Sequence, residues 1–305
     1  MPAEKTISIL GLKGAGKSTF LAVLNLALAL DQSPWRIRPV GETIGIMSGL
    51  MNYLFNKGLY PDATLVDQKM EFFVEKDATM LGLQPGAQFK LKTADVPGEA
   101  VKGVSSVSAN YHDFYQTSLK GCEGIVFLLD FKEKWREGEL IENESADIYF
   151  PLFSSILAEI REQADTNPYV VFCVTKIDLL VGQGANSEFD KTGYFGEVED
   201  IARDILGKST KALIDQTFDA NHVLWLPVSA TGFTGEGNKR VSQFVEKKEA
   251  YGIRNPKDLR PIGLAEALEW VLDNLAGDDE DVRIARTRGK KYANVVKGVR
   301  KLLGF

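Results

Sequence analysis

Residues 11 to 18 read Gly-Leu-Lys-Gly-Ala-Gly-Lys-Ser, and they stand between a short apolar run at 6–10 and a longer one at 18–30. The spacing GxxxxGK[ST] between a strand and a helix constrains this chain more than any other feature, because it fixes a βα turn whose backbone curls around an anion. Glycines allow consecutive N–H groups to point inward, and the start of the following helix adds positive potential. In such a loop Gly11, Gly14, Ala15, Gly16 and Thr19 line phosphate oxygens, Lys17 reaches the β and γ phosphates, and the Ser18 hydroxyl ligates Mg²⁺.

The rest of the chain supplies the sheet that such a loop needs. Strand-like runs recur at 6–10, 70–75, 88–94, 124–130, 169–174 and 222–228, and most are solid apolar blocks of the kind buried in parallel sheets. At 88–94 the apolar residues Phe89 and Leu91 alternate with Lys90 and Lys92, which predicts a strand with one exposed face or an edge position. Helical spacing links Ile44, Met47, Leu50, Met51, Leu54 and Phe55, then Leu152, Phe153, Ile156, Leu157 and Ile160, and last Leu264, Leu268, Val271, Leu272 and Leu275. The expected fold is α/β: a P-loop NTPase arrangement with a mainly parallel sheet, one antiparallel edge strand, helices on both faces and a C-terminal helix. The expected division is a nucleotide domain over 1–276 with insertions near 131–150, 182–194 and 232–261, an acidic linker at 277–281 and a basic amphipathic helix at 282–305.

Composition narrows the setting. With 44% hydrophobic and 26% charged residues, the chain can bury a core and is not a disordered one. Two cysteines, Cys122 and Cys173, lie in apolar runs and cannot build a disulfide framework, so reduced buried thiols and a cytoplasmic setting are expected. No signal-peptide pattern opens the sequence, and no apolar run approaches the length of a membrane span. His112 and His222 have no neighbours at metal-ligand spacing.

Three further motifs fall at strand ends. Asp95-Val-Pro-Gly98 follows the 88–94 strand, where an Asp can hold Mg²⁺ through water and a glycine N–H can contact a γ-phosphate. Thr175-Lys176-Ile177-Asp178 follows the 169–174 strand; a carboxylate there accepts both the N1–H and the 2-amino hydrogens of guanine, a pair that adenine does not offer. Lys176 would lie along the base plane. Ser229-Ala230 ends the last strand, where a backbone N–H can meet guanine O6.

The order GxxxxGKS, DxPG, TKxD, SA resembles the Ras-like GTPases of the translation-factor-related class. The resemblance covers most of residues 5–276 as a frame, and it implies GTP and GDP as ligands, Mg²⁺ as cofactor and a switch threonine between the first helix and the second strand. Thr64, in Tyr60-Pro-Asp-Ala-Thr64, fits that place, with Thr43 as competitor. An enlarged segment here and a proline before the threonine are similar to bacterial GTPases of conflict and defence systems, which favours Thr64. Two positions depart from the Ras-like pattern. Glu99 stands where the family carries the glutamine that orients water, and Lys13 replaces a glycine, where its ammonium could act like an arginine finger or lie in solvent. The resemblance thus implies Lys17 and Thr64 as catalytic residues and Ser18, Thr64 and Asp95 as metal ligands; Lys13 and Glu99 are added as catalytic candidates, although a carboxylate at Glu99 is repelled by the γ-phosphate unless protonated or turned away, which favours a conformational role there. A P-loop ATPase is the competing class. Dimeric members of that class carry a signature lysine five residues before the loop lysine; Leu12 occupies that place here, and Lys13 misses it by one.

Charge is unevenly spread. Residues 282–305 hold eight basic side chains and no acidic one, while the remainder has 28 basic against 42 acidic residues, a net −14 within an overall −6. Tyr292, Val295, Val296, Val299, Leu302 and Leu303 share one helical face, with Lys297, Arg300 and Lys301 off it. Such a segment suits an anionic membrane surface, an acidic partner or the chain's own acidic body. Nucleic acid is disfavoured, since Tyr292 alone offers a stacking ring. The function expected from sequence is a cytoplasmic GTP-binding switch with slow Mg²⁺-dependent hydrolysis that controls an unidentified protein effector or activator, or an anionic membrane surface to which it attaches peripherally through 282–305, with a nucleotide-dependent dimer as a further option. The alternative is a nucleotide-stabilised scaffold with little hydrolysis.

Overall fold

The apolar run before the glycine loop forms β1 (Lys5–Gly11), whose residues from Thr6 to Gly11 are all buried. In the computed structural model the described residues are 5–11, 14–61, 69–76, 88–94, 119, 121–130, 135–136, 139–140, 149–150, 153–154, 157–158, 160, 162, 167–182, 202–203, 205–236, 239–247 and 250–277. After β1 come α1 (Lys17–Leu30), β2 (Trp35–Pro39) and α2 (Thr43–Met51), which runs on into a single π turn (Asn52–Asn56). Then follow β3 (Lys69–Lys76), β4 (Gln88–Ala94) and β5 (Cys122–Asp130), and two tiny strands, β6 (Trp135–Arg136) and β7 (Glu139–Leu140), which pair with each other. The second half holds β8 (Tyr169–Thr175), α3 (Ile177–Gly182), α4 (Lys208–Thr217) and β9 (Val223–Pro227). Two hairpins come next, β10 (Phe233–Glu236) with β11 (Lys239–Ser242) and β12 (Phe244–Lys247) with β13 (Ala250–Ile253), before α5 (Leu264–Ala276).

Seven strands form one sheet in the order β2-β3-β4-β1-β5-β8-β9. From β4 to β9 every pairing is parallel, while β2–β3 and β3–β4 are antiparallel, so the antiparallel region lies at one edge. The fold is therefore the mixed α/β type that the sequence predicts. Period-two packing divides the sheet: Ile125, Phe127 and Leu129 join one buried cluster with Phe153, Leu157 and Ile214, while Val126 and Leu128 join the other with α1 and α5. Helical residues thus cover both faces.

Besides α3 and the small strands β6, β7 and β10–β13, which the sequence reading does not contain, three details differ from it. The edge strand β2 was not expected; its pattern, with Trp35 and Ile37 buried and Arg36 and Arg38 exposed, is a clear alternation, but it is only five residues long and has a proline at each boundary. Trp35 seals it, since Nε1 donates to Asp273 Oδ1 on α5 at 3.0 Å. Helix α4 was also not expected. The strand β4, read as edge or half-exposed, is an inner strand between β3 and β1; its alternation reflects a half-covered face, with Phe89 and Leu91 buried and Lys90 and Lys92 partly open. Cys122 and Cys173 are buried free thiols, and burial pushes the Cys122 thiol up to about 11, which leaves it unreactive at neutral pH.

Candidate nucleotide site

The parallel strands β1, β4, β5, β8 and β9 all end at the same sheet edge, so their C-terminal residues converge there although they are far apart in sequence. Gly11 closes β1 against β5: a side chain on it would place Cβ 2.8 Å from the Leu128 carbonyl oxygen. Gly14 and Gly16 both take positive φ, 82° and 89°, and Gly16 caps α1. This left-handed backbone is open to glycine at little cost and strains other residues. Lys17 is 3% exposed, and its Nζ donates to the Gly11 carbonyl at 2.7 Å, which folds the ammonium back across the loop. Ala15 and Thr19 are buried beneath it, Ser18 is partly exposed, and the first turn of α1 holds no acidic residue. A glycine turn that opens into a helix start suits an anion.

Beside the loop, Asp130 ends β5. It is 3% exposed, and its Oδ2 is paired with Lys176 Nζ. The same oxygen lies 3.9 Å from the point where a Cβ on Gly14 would sit, so this ion pair joins the phosphate-type loop to the β8 end. Lys176 thus reaches toward the loop, and its φ of +60° is one of two positive values at non-glycine residues in the described chain. That turn swings the chain from β8 straight into α3 and sets Asp178 in its first turn.

Asp178 is the centre of the second half of the site. It is 4% exposed, and each of its carboxylate oxygens accepts a serine hydroxyl: Oδ1 from Ser229 at 2.6 Å and Oδ2 from Ser242 at 2.5 Å. Burial raises its pKa, while the two hydroxyls, a hydrogen bond from its own backbone N–H and the nearby Lys176 charge pull it back down. Ser229 is fully buried after β9 and bridges to Ile262, with Ser229 N donating to the Ile262 carbonyl at 3.0 Å and the reverse bond at 2.8 Å. Ala230 packs beside it against the core. Thr175, which ends β8, donates its hydroxyl to the Leu129 carbonyl at 3.1 Å.

Of the residues singled out from sequence, the structure brings Gly11, Gly14, Ala15, Gly16, Lys17, Ser18 and Thr19 into one loop and helix start. It gathers Thr175, Lys176, Asp178, Ser229 and Ala230 at the neighbouring strand ends. Lys13, Thr64, Asp95, Gly98 and Glu99 lie outside the described residues, as does the basic segment 282–305. Thr43 is 3% exposed, and its hydroxyl accepts the Glu71 N–H at 2.9 Å, which ties α2 to β3. His222 bonds through Nδ1 to the Asn167 carbonyl at 2.9 Å, and the described residues contain no cluster of His, Cys, Asp and Glu fit for a metal. No helix among them is long and apolar enough to cross a membrane.

Four residues here were not legible as site residues. In the sequence Asp130 is only the end of a strand. Ser242, Tyr60 and Thr231 come together through the segment read as an insertion: Tyr60 Oη and Thr231 Oγ1 share a hydrogen bond of 2.8 Å, and Tyr60 N donates to the Tyr251 carbonyl at 2.9 Å. Burial, and the Asp178 carboxylate nearby, raise the Tyr60 pKa beyond the usual phenol range.

No protein-family profile matches this sequence, and no curated protein matches it. Among solved structures it is similar to the S. cerevisiae Ski7 GTPase-like domain bound to GTP, at 13% identity over 81% of this chain and 47% of that one, with a TM-score of 0.39. It is also similar to the signal recognition particle receptor SRb-GTP/SRX complex from Chaetomium thermophilum, at 14% identity over 78% and 94% of the two chains and a TM-score of 0.34. A third is the Arl6 BBS3 small GTPase from Trypanosoma brucei with bound nucleotide analogue GppNp, at 10% identity over 75% and 88% and a TM-score of 0.34. The chain spans under half the length of the Ski7 structures it matches.

Proposed function

We propose that this chain is a guanine-nucleotide switch that binds GTP and GDP and hydrolyses GTP slowly with Mg²⁺. One observation carries the reading: a nearly buried carboxylate, Asp178, is held by two hydroxyls at the strand end next to a glycine loop with a buried lysine. Of the carboxylate's roughly four acceptor sites, the two serine hydroxyls and the residue's own backbone N–H take three, so a ligand with two adjacent N–H donors would use the remaining site and displace the bond within the residue. Guanine has that pair, in N1–H and the 2-amino group. Lys17 and the N–H groups of residues 14–18 would hold the phosphates, and Ala230 would offer its N–H to O6.

Mg²⁺ would be held by Ser18, with Thr64 and Asp95 as its other expected ligands, and would neutralise phosphate charge when bound. Binding of the γ-phosphate would order the segments around Thr64 and Gly98 and so change a surface presented to a protein partner or a membrane, with the basic segment 282–305 as the contact. Glu99, in place of a glutamine, favours a second reading in which nucleotide stabilises an assembly and turnover is negligible.

Calorimetry of the full chain with GTP, GDP and ATP tests the first claim. A guanine preference of at least about 10-fold is expected from one charged hydrogen bond, and equal affinity for ATP would overturn the reading. Asp178→Asn should then prefer xanthine nucleotides, because an amide donates to the xanthine 2-carbonyl and accepts from N1–H. Single-turnover assays on the wild type and Lys13→Ala separate switch from scaffold. Turnover absent with Mg²⁺ supports the scaffold, and a change within about twofold in the variant removes Lys13 from the chemistry, since an arginine finger is worth about 10³ or more.

A further inference from the structure

The segment that follows Gly232 reads in sequence as a polar decoration, yet it delivers a side chain to the centre of the site. Its two ends are stitched together at the base: Arg260 N donates to the Thr231 carbonyl at 3.2 Å, and Ser229 and Ile262 form the antiparallel bridge. From that stem, β11 ends at Ser242, which is 5% exposed. Its hydroxyl oxygen accepts the Phe244 N–H at 3.0 Å and donates to Asp178 Oδ2. Ser229 repeats the device on the other oxygen, accepting the Gly232 N–H at 2.8 Å and donating to Asp178 Oδ1. In both serines an amide N–H occupies the hydroxyl oxygen, so the single hydroxyl proton is committed to the carboxylate.

We propose that Ser242 is a positioning residue for base recognition, so that the 232–261 segment completes the site rather than ornamenting it. The proposal rests on the reading that Asp178 recognises guanine. Two hydroxyls on opposite oxygens, with the residue's own backbone N–H, fix the plane of the carboxylate and with it the directions in which it can accept from a ligand. They also favour the ionised form, the only form with both oxygens free to accept. Besides Ser229 and Ser242, the titratable groups that act on Asp178 are Lys176, whose charge favours ionisation, and Tyr60, which is neutral in this setting. Without the Ser242 hydroxyl the carboxylate can rotate, and it takes up a proton at higher pH.

The test is fluorescence-monitored binding of GTP and ATP between pH 5.5 and 8.0 by the full chain carrying Ser242→Ala, Ser242→Thr, Ser242→Cys or Gln243→Ala. Gln243 braces the same segment, donating to the Asp258 carbonyl and accepting from Asn255 N, both at 2.9 Å, without touching Asp178. Ser242→Ala should lower GTP affinity about 10-fold or more with ATP affinity unchanged, and should move the acid loss of GTP binding to higher pH. Ser242→Thr should restore both, and Ser242→Cys, a weak donor of similar size, should behave like alanine even if the alanine variant does not fold. Gln243→Ala should keep the wild-type GTP to ATP ratio. A ratio and acid limb in Ser242→Ala and Ser242→Cys that match the wild type, or an equal loss of ratio in Gln243→Ala, would overturn the role of Ser242 alone. A wild type that does not distinguish GTP from ATP would overturn the Asp178 reading and this one with it.

Discussion

The two halves of the site are built in different ways. The proposed phosphate end is a single stretch of sequence, whose described residues, 11 and 14–18, are shaped by backbone: glycines with positive φ, a helix start, and a lysine that bonds back to the Gly11 carbonyl. The proposed base end is assembled from segments that meet only in three dimensions. Asp178 takes its two hydroxyls from residues 51 and 64 positions away. A local motif depends on few neighbours and tolerates change elsewhere, whereas an assembled one depends on everything that brings its pieces together. Damage at the first should abolish binding of any nucleotide, and damage at the second should change which base is preferred.

Lys17→Ala gives the sharpest contrast. Its buried ammonium is the charge proposed to meet the β and γ phosphates, and truncation of a buried charged partner should cost roughly 10²- to 10³-fold in affinity. The loss should be the same for GTP on the wild-type background and for xanthosine triphosphate on the Asp178→Asn background, as measured by calorimetry. A loss confined to one base would mean that the two halves are not separable.

Gly232→Ala should break the base end through its scaffold. Gly232 has φ +70°, and a Cβ there would lie 1.9 Å from the Arg260 carbonyl oxygen, a backbone atom that cannot swing away. We expect about 3 kcal/mol of destabilisation in urea titrations, together with a lower GTP to ATP ratio, because the same stem carries Ser229 and Ser242. A stable variant with an intact ratio would show that the stem is more pliant than its contacts suggest.

This contrast also explains what could be read from the sequence. The glycine loop, the TKxD and SA segments and five of the seven main-sheet strands flank or include contiguous patterns that backbone physics makes recognisable. So does β4, although its alternation reports a half-covered face and not its place among the strands. Strand β2 hid behind its brevity and its flanking prolines, although Trp35 and Ile37 alternate with two arginines. Asp130 looked like the end of an apolar run because nothing local marks its pairing with Lys176. Ser242 was invisible in principle. A serine in a polar, glycine-bearing stretch has the composition of a surface loop, and only the pairing of β10 with β11 and the stem at residues 229–262 turns it inward.

A smaller effect follows from the Asp178 charge. Its pKa in the folded chain is raised above the ordinary value of 3.8 by burial. Between that value and the raised one the native state holds more protons than the unfolded chain, so this group adds stability at acid pH that is lost as pH rises. Asp178→Asn removes this dependence. The stability of the variant relative to the wild type should increase from pH 4.5 to pH 7.5 in urea midpoints, and a difference that shrinks over the same range would contradict it.

The smallest expected effect concerns the link between the base end and the segment that leads to Thr64. Tyr60 Oη bonds to Thr231, two residues past Ser229, while the backbone on either side of Leu59 pairs with β13: Ile253 N donates to the Gly58 carbonyl at 2.8 Å and Tyr60 N to the Tyr251 carbonyl. The tyrosine ring also packs on Phe244 at 5.8 Å between centroids. Tyr60→Phe keeps the ring and the backbone bonds and deletes one neutral hydrogen bond, so it should cost about 1 kcal/mol of stability. Because Thr231 sits in the loop that holds Ser229, the same change should alter GTP and GDP affinity by no more than a few-fold and leave the preference for guanine in place. Loss of that preference in Tyr60→Phe would mean that the base end reaches further toward residue 64 than the carboxylate and its two serines, and the boundary between the two halves would have to be redrawn at Tyr60.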